Sequence, residues 1–208
     1  MNAESKKLTS MCGFLGSTMI MVGSLITAIA YHGRRGESYS VLNHFVSELG
    51  EVGVSSLALL SNAGLIAGCA ILLIFTVGLA LHFQTGLGYL ATTLGIVSCI
   101  SCGLVGAFPM NNLSVHTPVA YSFFYSGLAA LISFNLVIIF DKKKRISKWL
   151  IIPALVTTAS FVCFVLLPYA PRPTNARALA HHRFTRPDIW PVAVLEWCVF
   201  LVSWHGLS

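Results

Sequence analysis

The chain has 208 residues, of which 56% are hydrophobic and only 10% carry a charge. A soluble domain carries about 25% charged residues, so this composition excludes an ordinary soluble fold and indicates an integral membrane protein. The net charge of +6 does not indicate a nucleic-acid partner, because the basic residues are divided between two predicted membrane faces and form no single patch.

Six apolar stretches occupy most of the chain. A helix needs about 20 apolar residues to cross the hydrocarbon core of a bilayer, and such stretches cover 10–31, 56–82, 86–108, 117–140, 147–168 and 189–205. They predict an all-α fold, a single domain over 1–208 with six transmembrane helices. The first stretch follows Lys6 and Lys7 and ends in small residues, as a signal peptide does, but its length favours a retained helix.

The loop after the first stretch holds a segment with helical periodicity. Between Ser40 and Gly50 the apolar residues recur at helical spacing, and the polar residues, Asn43 and Ser47 among them, fall within one arc. Ser40 is suited to begin a helix and Gly50 to end it. The pattern predicts a short amphipathic helix that lies at the membrane surface or dips into it.

His44 and Glu48 lie four residues apart in this segment, so in a helix both side chains would share one face. The spacing suits two metal ligands or an acid/base pair. An ordinary polar face in contact with headgroups and water has the same spacing, and both interpretations remain open.

His116 lies at the start of the fourth stretch, after a short turn. Its imidazole suits proton transfer near neutral pH, and neutral imidazole is a common metal ligand. A catalytic zinc takes three protein ligands and one open position, which His44, Glu48, His116 and His182 have the chemistry to supply. The alternative is a helix-end histidine bonded to water or backbone.

The loop before the last stretch is rich in basic residues: Arg172, Arg177, His181, His182, Arg183 and Arg186. Guanidinium groups bind phosphate and carboxylate through a planar fork. Arg183 and Arg186 are therefore predicted to bind an anionic lipid headgroup, although a generic basic loop on anionic lipid would have the same composition.

Glu196 is the one acid inside a predicted span. An acid in hydrocarbon costs roughly 2.5 kcal/mol or more, so such residues usually face the bundle interior and have a partner. Asn62 and several serines lie at a similar depth, which predicts a polar cavity, although serines also pack between helices. The cysteines all fall inside spans, and the Cys99 and Cys102 pair is interpreted as packing.

The distribution of lysine and arginine predicts the orientation. Short cytoplasmic loops carry an excess of these residues, and the densest cluster is Lys142, Lys143, Lys144, Arg145 and Lys148. Lys6 and Lys7 share that side by span parity. We therefore expect a cell (cytoplasmic) membrane protein with both termini in the cytoplasm. The loops with His44, His116 and Arg186 would then converge on the outer face.

Three groups of residues resemble a known family. They are the run from Asn43 to Gly50, the run from Gly106 to Pro109 followed by His116, and Glu196 with Trp197. Together they resemble the six-helix membrane proteins of domain of unknown function 998. More distantly, the chain is similar to a eukaryotic six-helix group that includes a GPI-anchor lipid-remodelling factor. The resemblance implies a fold and a membrane location but no reaction. Where the family pattern often has an acid, this chain has Asn111 and Asn112.

Three functions remain open from the sequence. The first is a lipid-binding protein whose outer site, with Glu196 and the arginines, engages an anionic headgroup. The second is a lipid hydrolase or remodelling enzyme that uses His44, Glu48 and His116 with a divalent metal or in acid/base chemistry. The third is a small transporter, which the lack of a clear repeat between the two halves disfavours.

Overall fold

The computed structural model describes residues 2–141, 147–167 and 186–207. These residues form six α-helices: α1 (Ala3–Ile29), α2 (Ala58–Phe83), α3 (Gly86–Ala107), α4 (Leu113–Phe140), α5 (Ile151–Leu166) and α6 (Pro191–Leu207). Short 3-10 helices cover Val46–Gly50, Met110–Asn112 and Lys148–Leu150, and no strand occurs in the described ranges. The all-α prediction is confirmed.

Five of the helices, α1 to α5, are long and apolar enough to cross a membrane, in two cases together with the preceding 3-10 turn. The sixth is apolar over Pro191–Ser203 but shorter. These helices identify a multi-pass membrane protein. The sixth crossing remains a prediction, because a helix of this length covers less than the full hydrocarbon thickness.

Local signals account for several helix ends. The side chain of Asn2 accepts the Ser5 N–H at the start of α1, and that of Thr85 accepts the Gly88 N–H at the start of α3. Each of these caps satisfies a backbone donor that the first helical turn leaves free. Helix α2 ends at Phe83, because the next residue, Gln84, has a left-handed backbone conformation with a φ of 47° that stops the helix.

The six helices form a ring in chain order. Each packs against its neighbours in sequence, and α6 returns to α1. Small residues allow the closest approach: a Cβ at Gly16 would lie 2.8 Å from the Gly68 carbonyl oxygen, and the Cα of Gly64 lies close to Gly23. This is the usual way in which membrane helices come close together.

The serines of α3 and α4 hold those two helices together. The hydroxyls of Ser101 and Ser122 are 2.8 Å apart, and Ser98 donates to the carbonyl of Phe123. The sequence left open whether these serines line a polar cavity or pack between helices, and these contacts show interhelical packing.

The loops before α2, α4 and α6 all lie at one end of the ring, which we call the site face. It comprises residues 30–57, 108–112 and 186–190. Lys6, Lys7 and Lys148 lie at the opposite end, where Lys148 donates to the last carbonyls of α4. The cluster at Lys142 to Arg145, on which the predicted orientation depends, lies outside the described residues.

The segment from Ser40 to Gly50 differs from the predicted amphipathic surface helix. Only Val46–Gly50 is helical, as a 3-10 helix, and His44 precedes it. Val46, Glu48 and Leu49 are all buried. The buried part of the segment closes the end of the helix ring, whereas Val41 and Leu42 remain about half exposed.

Candidate functional site

Backbone and amide hydrogen bonds join the three loops of the site face. The Trp190 N–H donates to the Leu42 carbonyl over 2.7 Å. The Asn111 side chain accepts the Val52 N–H and donates to the Val52 carbonyl, both over 2.9 Å. Asn111 therefore links the two loops through both atoms of its amide. The expected convergence of these loops is confirmed.

Glu48 and Arg186 form a buried, forked ion pair. Arg186 Nη2 lies 2.8 Å from Glu48 Oε2, and Nη1 lies 3.2 Å from Oε1, with the side chains 13% and 4% exposed. Glu48 Oε1 also accepts the Phe45 N–H, and Arg186 donates to the Asn43 carbonyl. The guanidinium that was predicted to bind a lipid headgroup is thus engaged by the protein itself.

Asn43 and Ser47, two further predicted binding residues, also contact other loops. The Asn43 amide donates to the carbonyls of Pro187 and Asp188, over 3.2 and 3.3 Å. The Ser47 hydroxyl lies 3.2 Å from the sulfur of Met110. Both residues help to join the segments of the site face.

His44 is enclosed by aromatic rings. Its ring centre lies 5.5 Å from that of Tyr31 and 4.9 Å from that of Tyr39. Its Nδ1 accepts the Ser40 N–H, and its Nε2 is buried without a hydrogen-bond partner among the described residues. Burial lowers the pKa of His44 below the ordinary histidine value, which favours the neutral ring.

Tyr39 links this loop to α6, a role that the sequence analysis did not assign. Its hydroxyl donates to the Phe45 carbonyl over 2.8 Å and accepts the indole N–H of Trp197 over 2.9 Å. Burial raises the pKa of Tyr39, so the phenol stays neutral and keeps its proton for donation. No periodicity or motif marks this tyrosine, because its partners are distant in sequence.

Glu196 points into the bundle, as the cost of an acid in hydrocarbon predicts. It is 7% exposed, and its Oε2 accepts the Val46 N–H over 2.7 Å. Val46 begins the 3-10 helix, where the backbone donors lack helical partners. A carboxylate is a strong acceptor for such a donor, so α6 holds the first loop in place through this contact.

His116 is also buried, at 6% exposed, and its Nδ1 lies 2.8 Å from the Phe108 carbonyl oxygen. A carbonyl oxygen only accepts, so Nδ1 donates and carries the proton of the neutral ring. The other nitrogen, Nε2, is then an acceptor. This is the tautomer required of a general base or a metal ligand acting through Nε2.

A small cavity lies beneath the first loop, and we call it the polar cavity for the four polar side chains in its otherwise apolar lining. It has a volume of about 30 Å³ and its polar lining is formed by Ser47, Asn62, His116 and Glu196. Asn62 also donates to the Gly50 carbonyl, over 2.9 Å. A cavity of this size has room for one or two water molecules, or for a polar group of similar size.

The predicted catalytic residues do not all meet at this cavity. His116 lines it, whereas His44 and Glu48 do not. Across 2–141, 147–167 and 186–207, no three His, Cys, Asp or Glu side chains are close enough to hold a metal ion. His44, Glu48 and His116 therefore form no metal site by themselves, since Glu48 is bonded to Arg186. His182 and Arg183 lie outside the described residues.

Comparisons with known proteins bear on the whole bundle. No curated protein and no solved structure matches the chain. One family model matches residues 19–204, which include α2 to α5, the second part of α1, most of α6, and every polar residue of the cavity. The chain therefore belongs to the family described as protein of unknown function (DUF998).

Proposed function

We propose that the protein binds a membrane lipid at the site face, with the polar end of the lipid in the polar cavity. The observation that carries the proposal is a set of four polar side chains, those of Ser47, Asn62, His116 and Glu196, on the wall of one small and otherwise apolar cavity. Polar groups at such depth are costly and commonly mark functional sites.

The cavity favours a hydrogen-bond donor over an anion. Glu196 contributes a carboxylate, and Arg186, the cation expected to attract a headgroup, is neutralised by Glu48. A hydroxyl or ammonium group would bond to Glu196 and to Nε2 of His116, whereas a phosphate would meet like charge. Arg183 and Arg186 were predicted to bind an anionic headgroup. Because Arg186 is paired with Glu48, this role is proposed for Arg183.

Lipid analysis of Glu196→Gln tests this proposal. The protein is purified in mild detergent, and the amphiphiles that stay bound are extracted and quantified per polypeptide by mass spectrometry. We expect close to one bound molecule on the parent and a severalfold loss on Glu196→Gln. Glu4→Gln is the matched control, because Glu4 is exposed in the first turn of α1, at the opposite end of the bundle. Equal amounts on the parent and Glu196→Gln would refute the proposal.

A second candidate is a lipid hydrolase, which the tautomer of His116 favours. With Nδ1 bonded to a carbonyl, Nε2 is positioned as a general base on a cavity that also contains Glu196. His44 and Glu48 would then orient the loop instead of reacting. Release of fatty acid or headgroup from added lipid, abolished in His116→Gln while lipid remains bound, would identify the enzyme. Binding without release would support the first proposal.

The remaining expectations concern location and ancestry. We propose that the site face is the outer face of the cell membrane and that both termini are cytoplasmic, on the basis of the lysine-rich loop. Labelling of intact cells that carry a cysteine in place of the exposed Val52 or Lys7 tests this orientation.

Transport, as the third hypothesis, is tested by counterflow in proteoliposomes. The distant similarity to the eukaryotic lipid-remodelling group also remains a prediction.

A further inference from the structure

A second and much larger cavity lies in the centre of the helix ring. Its volume is about 370 Å³, and all six helices contribute to its wall. The cavity is partly open at its surface and is not sealed within the bundle. Protein interiors are normally packed as densely as organic crystals, so an apolar space of this size is suited to hold a molecule that enters from the membrane.

The wall of this bundle cavity is apolar in its chemistry. Aromatic rings supply much of it, and no charged residue contributes. Four of the five hydroxyl side chains on the wall, those of Ser17, Thr76, Ser98 and Thr157, each donate to a backbone carbonyl, and the fifth is that of Ser203. Because these donors are already satisfied, the wall offers little to water or ions, and apolar cavities of this kind remain dry.

The length and volume of the cavity match a hydrocarbon chain. Along α4 its wall runs from Phe123 to Ile138, which is about 22 Å at 1.5 Å per residue. A protein cavity of about 150 Å³ binds benzene, so by proportion a cavity of 370 Å³ accommodates about 15 carbon atoms. A long chain fits these dimensions, and in a bilayer acyl chains are the abundant source.

The bundle cavity adjoins the polar cavity at the end nearer the site face. Cys102, Phe123 and Phe200 line both of them. One end of the combined space thus has Glu196 and His116, and the other end is hydrocarbon-like. This is the arrangement that an amphiphile with one chain and a small polar end group would occupy.

We propose that the bundle cavity holds a single hydrocarbon chain of about 15 carbons, belonging to a single-chain amphiphile whose small hydroxyl-bearing end group lies in the polar cavity. The polar end of this assignment rests on the proposed function, whereas the chain rests on the bundle cavity alone. A headgroup as large as a phosphodiester does not fit, because the polar cavity measures only about 30 Å³.

Variants that fill the cavity test the chain. Ala130 and Ala154 line it from α4 and α5, whereas Ala129, the neighbour of Ala130 on the same turn, does not. We would add 1-hexadecanol, hexadecanoate or 1-octanol to the parent, Ala130→Phe, Ala154→Phe and Ala129→Phe in detergent. Native mass spectrometry counts the bound molecules, and thermal unfolding shows which variants are folded.

We expect one hexadecanol on the parent and on Ala129→Phe, at least tenfold less on both lining variants, and weak binding of octanol. Equal occupancy in every folded variant, or no adduct on the parent, would overturn the assignment of the chain. If Ala130→Phe does not fold, loss of hexadecanol binding in Ala154→Phe alone supports the assignment of the chain.

Glu196→Gln separates this inference from the proposed function. If it reduces the preference for hexadecanol over hexadecanoate while chain binding persists, both are supported. If it leaves the preference unchanged while the lining variants still lose the chain, the polar end group is refuted and the chain assignment stands. If the preference changes but the lining variants retain the chain, the chain assignment is refuted.

Discussion

Replacing Arg186 with methionine should destabilise the site face by roughly 3 to 4 kcal/mol at pH 7. The Glu48 side chain is only 4% exposed, and its remaining partner would be the Phe45 N–H. Breaking a buried pair from one side costs about 3 to 5 kcal/mol. The Glu48 carboxylate would keep one backbone donor and lose the opposite charge of Arg186, which accounts for the expected loss.

The same reasoning predicts that a second substitution restores the stability. The double variant Glu48→Gln with Arg186→Met should recover most of the lost free energy of unfolding at pH 7, because neither position then buries a charge.

Unfolding in mixed micelles at pH 7 measures these free energies for the parent and both variants. Hydrogen exchange over residues 40–51 separates local release of the first loop from global unfolding. A loss below about 0.5 kcal/mol in Arg186→Met, within the range of ordinary surface substitutions, or an equal loss in the double variant, would refute the reasoning.

Three further predictions follow from single contacts. Burial lowers the pKa of His44 in the folded protein, so His44 of the unfolded chain takes up a proton first as the pH falls below about 6.5. The melting temperature of the parent should therefore fall more with falling pH than that of His44→Phe. Parallel curves of melting temperature against pH would contradict this. A Cβ at Gly50 would overlap the Asn62 side-chain oxygen, so Gly50→Ala should cost about 1 to 3 kcal/mol in unfolding free energy, whereas Gly86→Ala, with open space around it, should be tolerated. All six cysteines are free, and the unfolded protein should therefore bind six maleimides with or without reductant.

The helices were predictable because the bilayer is a uniform solvent. Any segment that crosses it needs a long apolar run with all its backbone hydrogen bonds made internally. Such a run can be recognised from consecutive residues of the sequence. The predicted stretch 86–108 corresponds to Gly86–Ala107, and 56–82 to Ala58–Phe83. The inward position of Glu196 followed from the same physics.

The first loop was less predictable, because its conformation depends on partners far away in sequence. Glu48 pairs with Arg186 across 138 residues, and Val46 meets Glu196 across 150. Helical periodicity over Ser40 to Gly50 cannot register such contacts, so it predicted a surface helix with an exposed polar face. Burial of Glu48 in its ion pair with Arg186 produced a closed loop instead.

The amino-acid sequence by itself determined the membrane environment, the helical class and the residues that gather on one face. Hydropathy depends on consecutive residues, and the side on which a loop lies depends only on the number of spans before it. Only the tertiary structure decided which polar residues meet. It joined Glu48 to Arg186, left His116 and Glu196 on a polar cavity, and placed the apolar bundle cavity beneath them. Cavities and buried pairs arise between helices, and their geometry exists only once the ring has closed.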